Sequence, residues 1–158
     1  MKQKTEKPQT TAPKVNDETL RRFVGYHLKR TFNIIQADLT QTLKPFGLRM
    51  LTYTALVLIV DNPGLSQAQL AEAMGIERPN LVVIVDELEG RDLITRDRVP
   101  TDRRAYALKT TLAGRRLYDQ ALEAVIAHEN QMLANIDDES RTRLIQALTD
   151  IRKPQSTS

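Results

Sequence analysis

Basic side chains are concentrated in one short stretch of this 158-residue chain, and their chemistry is the binding of anions. Between Arg91 and Arg116, Lys and Arg outnumber Asp by eight to three, while the whole chain has a net charge of only +3. A positive charge concentrated in this way is typical of a surface that contacts nucleic-acid phosphates. The eight basic residues are Arg91, Arg96, Arg98, Arg103, Arg104, Lys109, Arg115 and Arg116.

The composition offers little for catalysis or for metal binding. The chain has no cysteine, and its two histidines, His27 and His128, are too far apart in sequence to predict a chelate. The sequence contains no nucleophile elbow, no phosphate-binding glycine loop and no His-Glu cluster. We therefore expect neither enzymatic activity nor a cofactor nor a bound metal ion.

A short helix is predicted from Gln67 to Met74, ahead of the basic stretch. Ser66 and Gln69 have the spacing of a capping box, in which two side chains bond to the free amides at a helix start. Gly75 follows the last residue, where a left-handed backbone conformation is favoured. The sequence therefore predicts about two helical turns that end sharply.

A second helix is predicted over residues 78–89, with Pro79 in its first turn. Its apolar residues follow helical spacing, although the run LVVIV is also compatible with a buried strand. Two helices joined by a glycine-containing turn form a helix-turn-helix, whose second helix enters the major groove of DNA. The candidate base contacts point away from the apolar face and are Arg78, Pro79, Asn80, Val82 and Val83; for the two valines, ordinary core packing is the alternative.

Two short strands are predicted within the basic stretch, over residues 93–99 and 104–110, because apolar and polar residues alternate there. Residues 100–103 between them have the composition of a turn with added charge. A basic hairpin beside a helix-turn-helix is the arrangement of a winged helix, whose wing lies along phosphates or in a minor groove. The predicted phosphate contacts are Arg96, Arg98 and Arg103.

Long amphipathic helices are predicted on both sides of this module. One runs from residue 16 or 17 to 44, and the next, over 48–60, is apolar almost all round. Beyond the wing, helices are predicted over 112–135 and 138–152. A small winged helix cannot cover these apolar faces, so we expect two copies to bury them as a homodimer; the alternative is a monomer that folds the helices back on itself.

The predicted fold class is mostly α with a small β-hairpin wing, in one compact domain. Residues 1–15 are expected to be a disordered basic tail, which either solubilises the chain or adds phosphate contacts through its lysines. Residues 16–46 and 111–153 form the helical dimerisation region, and residues 47–110 form the winged helix-turn-helix. No stretch has the pattern of a signal peptide or a membrane span, which favours a cytoplasmic protein.

The segment from Leu70 to Gly114 resembles the MarR family of transcriptional regulators. Its pieces follow the family's order without a gap: a Leu-Ala helix, a Gly-Ile turn, a recognition helix ending in Leu-Glu, then Leu-Ile-x-Arg, Asp-x-Arg and Thr-x-x-Gly. The resemblance implies a dimer joined through its first and last helices that binds double-stranded DNA. It also implies that Arg104 reaches into the minor groove while Asp102 orients the wing by an ion pair. Because Val82 and Val83 supply no hydrogen bonds, part of the specificity is expected from DNA shape.

Many members of that family release DNA when a small anion, often an aromatic acid, binds between the dimer helices and the winged helix. The resemblance therefore predicts a repressor that leaves a pseudo-palindromic site when such an effector binds. The alternative is an architectural or protein-contact winged helix without a specific operator. The predicted effector site would offer an arginine fork and aromatic rings, from Tyr26, His27, Arg30, Arg49 and Tyr53; the alternative for His27 and Tyr53 is a role in the core or at its boundary.

Overall fold

The structure is a computed structural model that describes residues 15–99 and 102–153, with all their side chains except those of residues 99 and 102–105. Residues 1–14 of the predicted tail and residues 100–101 of the predicted turn thus lie outside the described residues. The contacts between residues divide the chain into two units, of which one ends at Ile34 and the other begins at Ile35. The domain boundaries proposed from the sequence do not coincide with this division and stay a prediction.

The described residues form six α-helices and one three-stranded antiparallel sheet, as the predicted fold class requires. In chain order the elements are α1 (Val24–Leu43), α2 (Met50–Asp61), β1 (Leu65–Ser66), α3 (Gln67–Met74), α4 (Arg78–Gly90), β2 (Ile94–Val99), β3 (Asp102–Thr110), α5 (Leu112–Met132) and α6 (Asp138–Ile151). Short 3-10 helices, Leu20–Arg22 and Lys44–Phe46, stand before and after α1.

Local signals account for α3 and for the turn that follows it. The Ser66 hydroxyl accepts a hydrogen bond from the Gln69 amide at 3.2 Å, and the Gln69 side chain accepts one from the Ser66 amide at 3.0 Å. Gly75 ends the helix with a φ of +62°, a conformation that costs glycine no steric strain. The predicted capping box and glycine stop are both confirmed.

Helix α4 confirms the helical interpretation of the LVVIV run. The residues that share its inner face are all buried, namely Leu81, Ile84, Val85 and Leu88. They join a hydrophobic core within the second unit, to which α2, α3 and the sheet also contribute. The largest fully buried side chains of that core include Leu43, Leu56, Ile59, Leu70, Ile94 and Leu108. This core fixes the position of α4 against the rest of the helix-turn-helix.

The sheet has the order β1-β3-β2, and both pairings are antiparallel. Strand β1 pairs Leu65 with Leu108 and was not predicted, because two residues are too few to show an alternating pattern. Strand β3 begins at Asp102, and Val99 pairs with Asp102, so the predicted four-residue link over 100–103 is wrong. The hairpin therefore extends nearer to its tip than the sequence indicated.

The predicted first helix, starting at residue 16 or 17, is wrong: α1 starts at Val24, and Phe23 before it is extended, with φ −108° and ψ 128°. The carboxylate of Asp17 accepts hydrogen bonds from Arg21 at 2.7 Å and from the Tyr26 hydroxyl at 2.5 Å. The bonds from Arg21 and then Tyr26 are the main causes that lower the pKa of Asp17 to about 2. We infer that Asp17 holds the segment folded back on the start of α1, which a continuous helix would prevent.

Other helix ends differ from the prediction by one to three residues. Helix α2 starts at Met50 rather than 48, because Arg49 is the extended N-cap residue, and its amide donates to the Thr52 hydroxyl at 2.8 Å. It is not buried all round, since Leu51 is 51% exposed. Helix α5 ends at Met132 rather than 135, and α6 ends at Ile151 rather than 152.

The terminal helices leave apolar side chains exposed. No residue of α6 is buried, and the only buried residue of α1 is Leu43. The exposed apolar residues of the two helices are Val24, Leu28, Phe32 and Ile34 in α1 and Leu144, Ile145 and Ile151 in α6. Among the described residues, no single helix is long and apolar enough to cross a membrane; by length and composition alone, only the bent pair Val24–Phe46 and Met50–Asp61 passes when taken together.

Candidate nucleic-acid interface

The outer face of α4 carries the predicted base contacts. Arg78, Pro79 and Asn80 are exposed in its first turn. Val82 is 41% exposed and Val83 is 63% exposed, so neither valine packs in the core of the chain. An exposed pair of valines suits contact with thymine methyl groups, whereas Asn80 and Arg78 are the side chains able to bond to base edges.

The C-terminal part of α4 carries three carboxylates, and arginines from neighbouring elements hold all of them. The Arg96 guanidinium, from β2, donates to Glu89 through Nε at 2.9 Å and through Nη2 at 2.6 Å, and it also pairs with Asp86. Arg49, at the start of α2, pairs with Glu87. The hydrogen bond to Glu89 is the main cause that raises the pKa of Arg96. Arg96 therefore faces carboxylates of α4, whereas a side chain that binds a phosphate is expected to point into the solvent.

The wing, which is the β2–β3 hairpin, carries further charged side chains. Arg98 is exposed on β2. Lys109 pairs with Asp97 across the two strands at 2.8 Å, and this contact lowers the pKa of Asp97. The backbone of residues 102–104 begins β3 near the hairpin tip, but the side chains of Asp102, Arg103 and Arg104 lie outside the described residues. Their predicted DNA contacts stay a prediction.

The base of the wing is joined to the start of α5 through Thr111. Its hydroxyl accepts from the Gly114 amide at 2.9 Å as a helix cap and donates to the Asp92 carbonyl at 2.6 Å. The Thr111 amide also donates to the Leu93 carbonyl at 3.0 Å. Thr111 therefore caps α5 and ties the hairpin to this helix.

Three of the predicted effector residues belong to the first unit. The Arg30 guanidinium donates to the Tyr26 hydroxyl at 2.7 Å and reaches the Asp17 carboxylate at 3.3 Å. Nε2 of His27 lies 2.8 Å from the carbonyl oxygen of Arg21, and the His27 ring meets that of Tyr26 edge-on. Within this unit, Arg30 therefore already holds a carboxylate of the chain.

Arg49 and Tyr53 belong to the second unit. Arg49 is paired with Glu87, so its guanidinium is also occupied. Tyr53 is half-buried, and burial is the main cause that raises the pKa of its hydroxyl. That these two residues and the three of the first unit bind the same ligand stays a prediction.

The ion pairs that hold the acidic end of α4 were not predicted from the sequence. The available signal was the spacing of Asp86 and Glu89, which are three residues apart and therefore neighbours on a helix surface. No local pattern connects them with Arg96, because that contact depends on how β2 packs beside α4. Among the described residues, no group of three or more His, Asp or Glu side chains could hold a metal ion.

Substitution of Val83 by alanine is expected to leave stability within about 0.5 kcal/mol of the parent, because the side chain is exposed. If Val83 touches a thymine methyl, the variant should lose about 1 kcal/mol of preference at one base pair. Thermal unfolding and binding to single-base operator variants would measure both effects. The control is Leu81→Ala on the buried face of the same helix. Because Leu81 is only 1% exposed, this change should cost about 2–5 kcal/mol of stability. An unchanged base preference in Val83→Ala would remove this residue from the readout.

Comparison with known proteins gives one consistent result. A family model described as "MarR family" matches residues 46–105. A protein of Thauera aromatica described as "Putative transcriptional regulatory protein for hcr operon" is 35% identical over 137 residues, which cover 84% of this chain and 81% of that protein.

Solved structures agree with this match over most of the chain. The transcriptional repressor CouR bound to a 23-mer DNA duplex is 33% identical, with a TM-score of 0.85, and the match covers 89% of this chain and 99% of that one. CouR from Rhodococcus jostii RHA1 bound to p-coumaroyl-CoA is 31% identical, with a TM-score of 0.79, and the match covers 90% and 100% of the two chains.

Proposed function

Since the chain belongs to the MarR family of DNA-binding, winged helix-turn-helix transcriptional regulators, we propose that it is a homodimeric repressor of a pseudo-palindromic duplex site, released by a small ligand. The observation that carries the proposal is the outer face of α4, where Arg78, Pro79, Asn80, Val82 and Val83 are all exposed, next in sequence to a basic wing. A second copy related by a two-fold axis would present the same face about one helical turn of DNA away.

The exposed surface of α5 and α6 supports the homodimer. Within the second unit, an apolar groove of about 210 Å³ is lined by side chains of α1, α5 and α6, among them Leu39, Leu144 and Leu148. A second copy that covers the groove would remove the exposed parts of these apolar side chains from water.

The contacts with DNA follow from residue chemistry. On α4, Asn80 suits the adenine edge and Arg78 the guanine edge. In the wing, we propose that Arg98 and Arg103 bind phosphates, and that Arg104 enters the minor groove with Asp102 as its orienting partner. This division assigns base readout to the helix and most of the salt-dependent affinity to the wing.

The proposed effector is an aromatic acid or its coenzyme A thioester, because a similar repressor, CouR, has been solved with p-coumaroyl-CoA. An anionic ligand that binds Arg49 would compete with Glu87 for the guanidinium, and one that binds Arg30 would compete with Asp17. Displacement at Arg49 would leave the Glu87 carboxylate of α4 without its partner, which gives a direct route from ligand to recognition helix. We propose that the protein has no catalytic activity and that it is located in the cytoplasm, together with the DNA.

The proposal is tested by binding of the purified protein to a labelled duplex from upstream of its own gene. Fluorescence anisotropy would be followed against salt and competitor DNA, then with aromatic acids and their coenzyme A thioesters. Selective, salt-sensitive binding that one compound abolishes is the expected result. Selective binding that no compound affects would contradict the proposed release by a ligand but not the DNA-binding role. Weak binding that does not depend on sequence would instead favour an architectural or protein-contact role.

Replacing Arg104 by alanine is expected to weaken operator binding by about tenfold or more, because one charged minor-groove contact per protomer is lost. Anisotropy at fixed salt would give the affinity, and light scattering would establish that the dimer persists. The control is Arg143→Ala, on the polar side of α6, which removes the same charge far from the proposed contacts. An Arg104→Ala variant with unchanged affinity at physiological salt would remove the wing tip from the mechanism.

A further inference from the structure

We propose that Arg96 is a positioning residue for DNA binding: it neutralises Asp86 and Glu89 on the recognition helix α4 and sets the wing against that helix, and it does not bind a phosphate. The proposal rests on the proposed function, since it concerns how α4 reaches the major groove. It replaces the phosphate contact that the basic composition of the wing predicted for Arg96.

In the Arg96 cluster, which comprises Arg96, Asp86 and Glu89, one guanidinium group pairs with two carboxylates. Two nitrogens of the guanidinium bond to one carboxylate oxygen of Glu89, at 2.9 and 2.6 Å, while Nη2 also pairs with Asp86. The Arg96 side chain is only 23% exposed, compared with 56% for Asp86. Arginine bonds of this kind are directional, so the guanidinium has little freedom to turn towards a phosphate.

The place of Asp86 on the helix makes its charge important. Asp86 follows Val82 by four residues, so the two side chains are neighbours on one stripe of α4. Val82 belongs to the exposed face proposed to read bases, and Asp86 therefore lies at the edge of that face. A helix in a major groove has phosphates on both sides, and each unpaired carboxylate there would be repelled by them. Arg96 supplies the positive charge that offsets this repulsion.

The same contact fixes the direction of the wing. Arg96 is on β2, and both of its partners are on α4, so the cluster bridges the two elements proposed to contact DNA. Arg98 follows two residues later on the same strand and therefore points to the same side of the hairpin as Arg96. Arg96→Ala and the triple variant Arg96→Ala/Asp86→Asn/Glu89→Gln both lack this bridge, so the part of the affinity that the triple variant does not regain measures what the bridge contributes through the position of the wing and of Arg98.

The two possible roles of Arg96 predict different responses to removal of the carboxylates. If Arg96 binds a phosphate, Arg96→Ala loses one counterion-releasing contact, and the double variant Asp86→Asn/Glu89→Gln should gain as much affinity with Arg96 present as the same two changes gain in Arg96→Ala. If Arg96 neutralises the two carboxylates, the loss comes mostly from their uncompensated charge, and the double variant gains much less when Arg96 is present. The triple variant Arg96→Ala/Asp86→Asn/Glu89→Gln should then recover most of the affinity. A gain of equal size with and without Arg96 would therefore count against the proposal.

The experiment measures operator affinity of the full chain between 50 and 200 mM salt, a range over which phosphate contacts change affinity strongly, about 10³-fold for six or more of them. Six proteins are compared: the parent, Arg96→Ala, Arg96→Lys, Asp86→Asn/Glu89→Gln, the triple variant and Arg143→Ala. Arg143 forms an ion pair with Glu139 on α6 and controls for the loss of one ion-paired arginine. Circular dichroism and thermal unfolding accompany each measurement, so that a variant that fails to fold is recognised.

We expect Arg96→Ala to bind about tenfold more weakly, the triple variant to regain at least half of that loss on a logarithmic scale, and Arg143→Ala to match the parent. Arg96→Lys, which keeps the charge but lacks the fork, should lose less than Arg96→Ala. A triple variant that stays as weak as Arg96→Ala, with a salt slope reduced by about 0.9 per contact, would establish the phosphate contact and overturn the proposal. A parent protein that does not select a duplex at all would instead contradict the proposed function, and the role of Arg96 would fall with it.

Discussion

Removal of residues 136–158 is expected to convert the homodimer into monomers or aggregates and to weaken operator binding by about a hundredfold or more, since two half-sites would no longer be held together. The deletion takes away α6, whose apolar residues include Leu144, Ile145 and Ile151, all at least 44% exposed within one chain. It also uncovers Val125 and Met132 of α5, which line the groove with α6. Light scattering after size exclusion would give the mass, and anisotropy the affinity.

A point substitution separates loss of the interface from loss of the fold. Ile145→Glu places a charge on the exposed apolar side of α6 and should dissociate the dimer with little change in helix content. Its control, Gln146→Glu, adds the same charge at the next residue, beside Asp150, where like charges cost only a few tenths of a kcal/mol, about 0.2–0.5. A soluble dimer after the deletion, or after Ile145→Glu, would defeat the assignment of α6 to the interface.

Replacing Gly114 by alanine is expected to destabilise the protein by about 2–3 kcal/mol or more, because it overpacks a rigid contact. A β-carbon at this position would lie 1.9 Å from the Leu93 carbonyl oxygen and 2.7 Å from Oγ1 of Thr110. Backbone atoms of the wing base would have to move, and the bond from the Thr111 amide to Leu93 would be strained or lost. Chemical denaturation would give the change in free energy of unfolding.

The comparison for Gly114→Ala is Gly90→Ala, at the last residue of α4, where a β-carbon would meet nothing within 4 Å. This change should be neutral or slightly stabilising, since alanine favours a helix over glycine by about 1 kcal/mol. If both variants unfold alike, the close approach of α5 to Leu93 has no energetic weight. If only Gly114→Ala is destabilised and its DNA affinity falls with it, the position of the wing base against α5 also matters for DNA binding.

The helix-turn-helix was predictable because its signals are local. The Ser66–Gln69 capping box, the left-handed Gly75 and the i, i+3, i+4, i+7 face of α4 each involve residues within about two turns of one another. Thr111 as the cap of α5 follows the same rule. The basic excess of the wing is likewise a property of composition, and it indicated a nucleic-acid surface without any coordinates.

The errors arose where a contact competes with a local preference. Helical spacing runs continuously through residues 17–28, yet Asp17 accepts from Arg21 and Tyr26, and the backbone is extended at Phe23. Strand β1 consists of Leu65 and Ser66 and exists because β3 lies beside it. Neither the extended residue Phe23 nor strand β1 is indicated by a local sequence pattern.

The sequence by itself determined the winged helix-turn-helix, the exposed face of α4 and the concentration of positive charge in the wing, because capping, periodicity and composition act over short distances. Only the tertiary structure decided which of those charges are available. In the sequence, nothing distinguishes Arg96 and Arg49 from the other basic residues. In the folded chain, Arg96 pairs with Asp86 and Glu89 of α4, and Arg49 pairs with Glu87. Ion pairing is decided by distances of a few ångströms between elements far apart in the chain, so the partners of an arginine become known only when the elements have been packed.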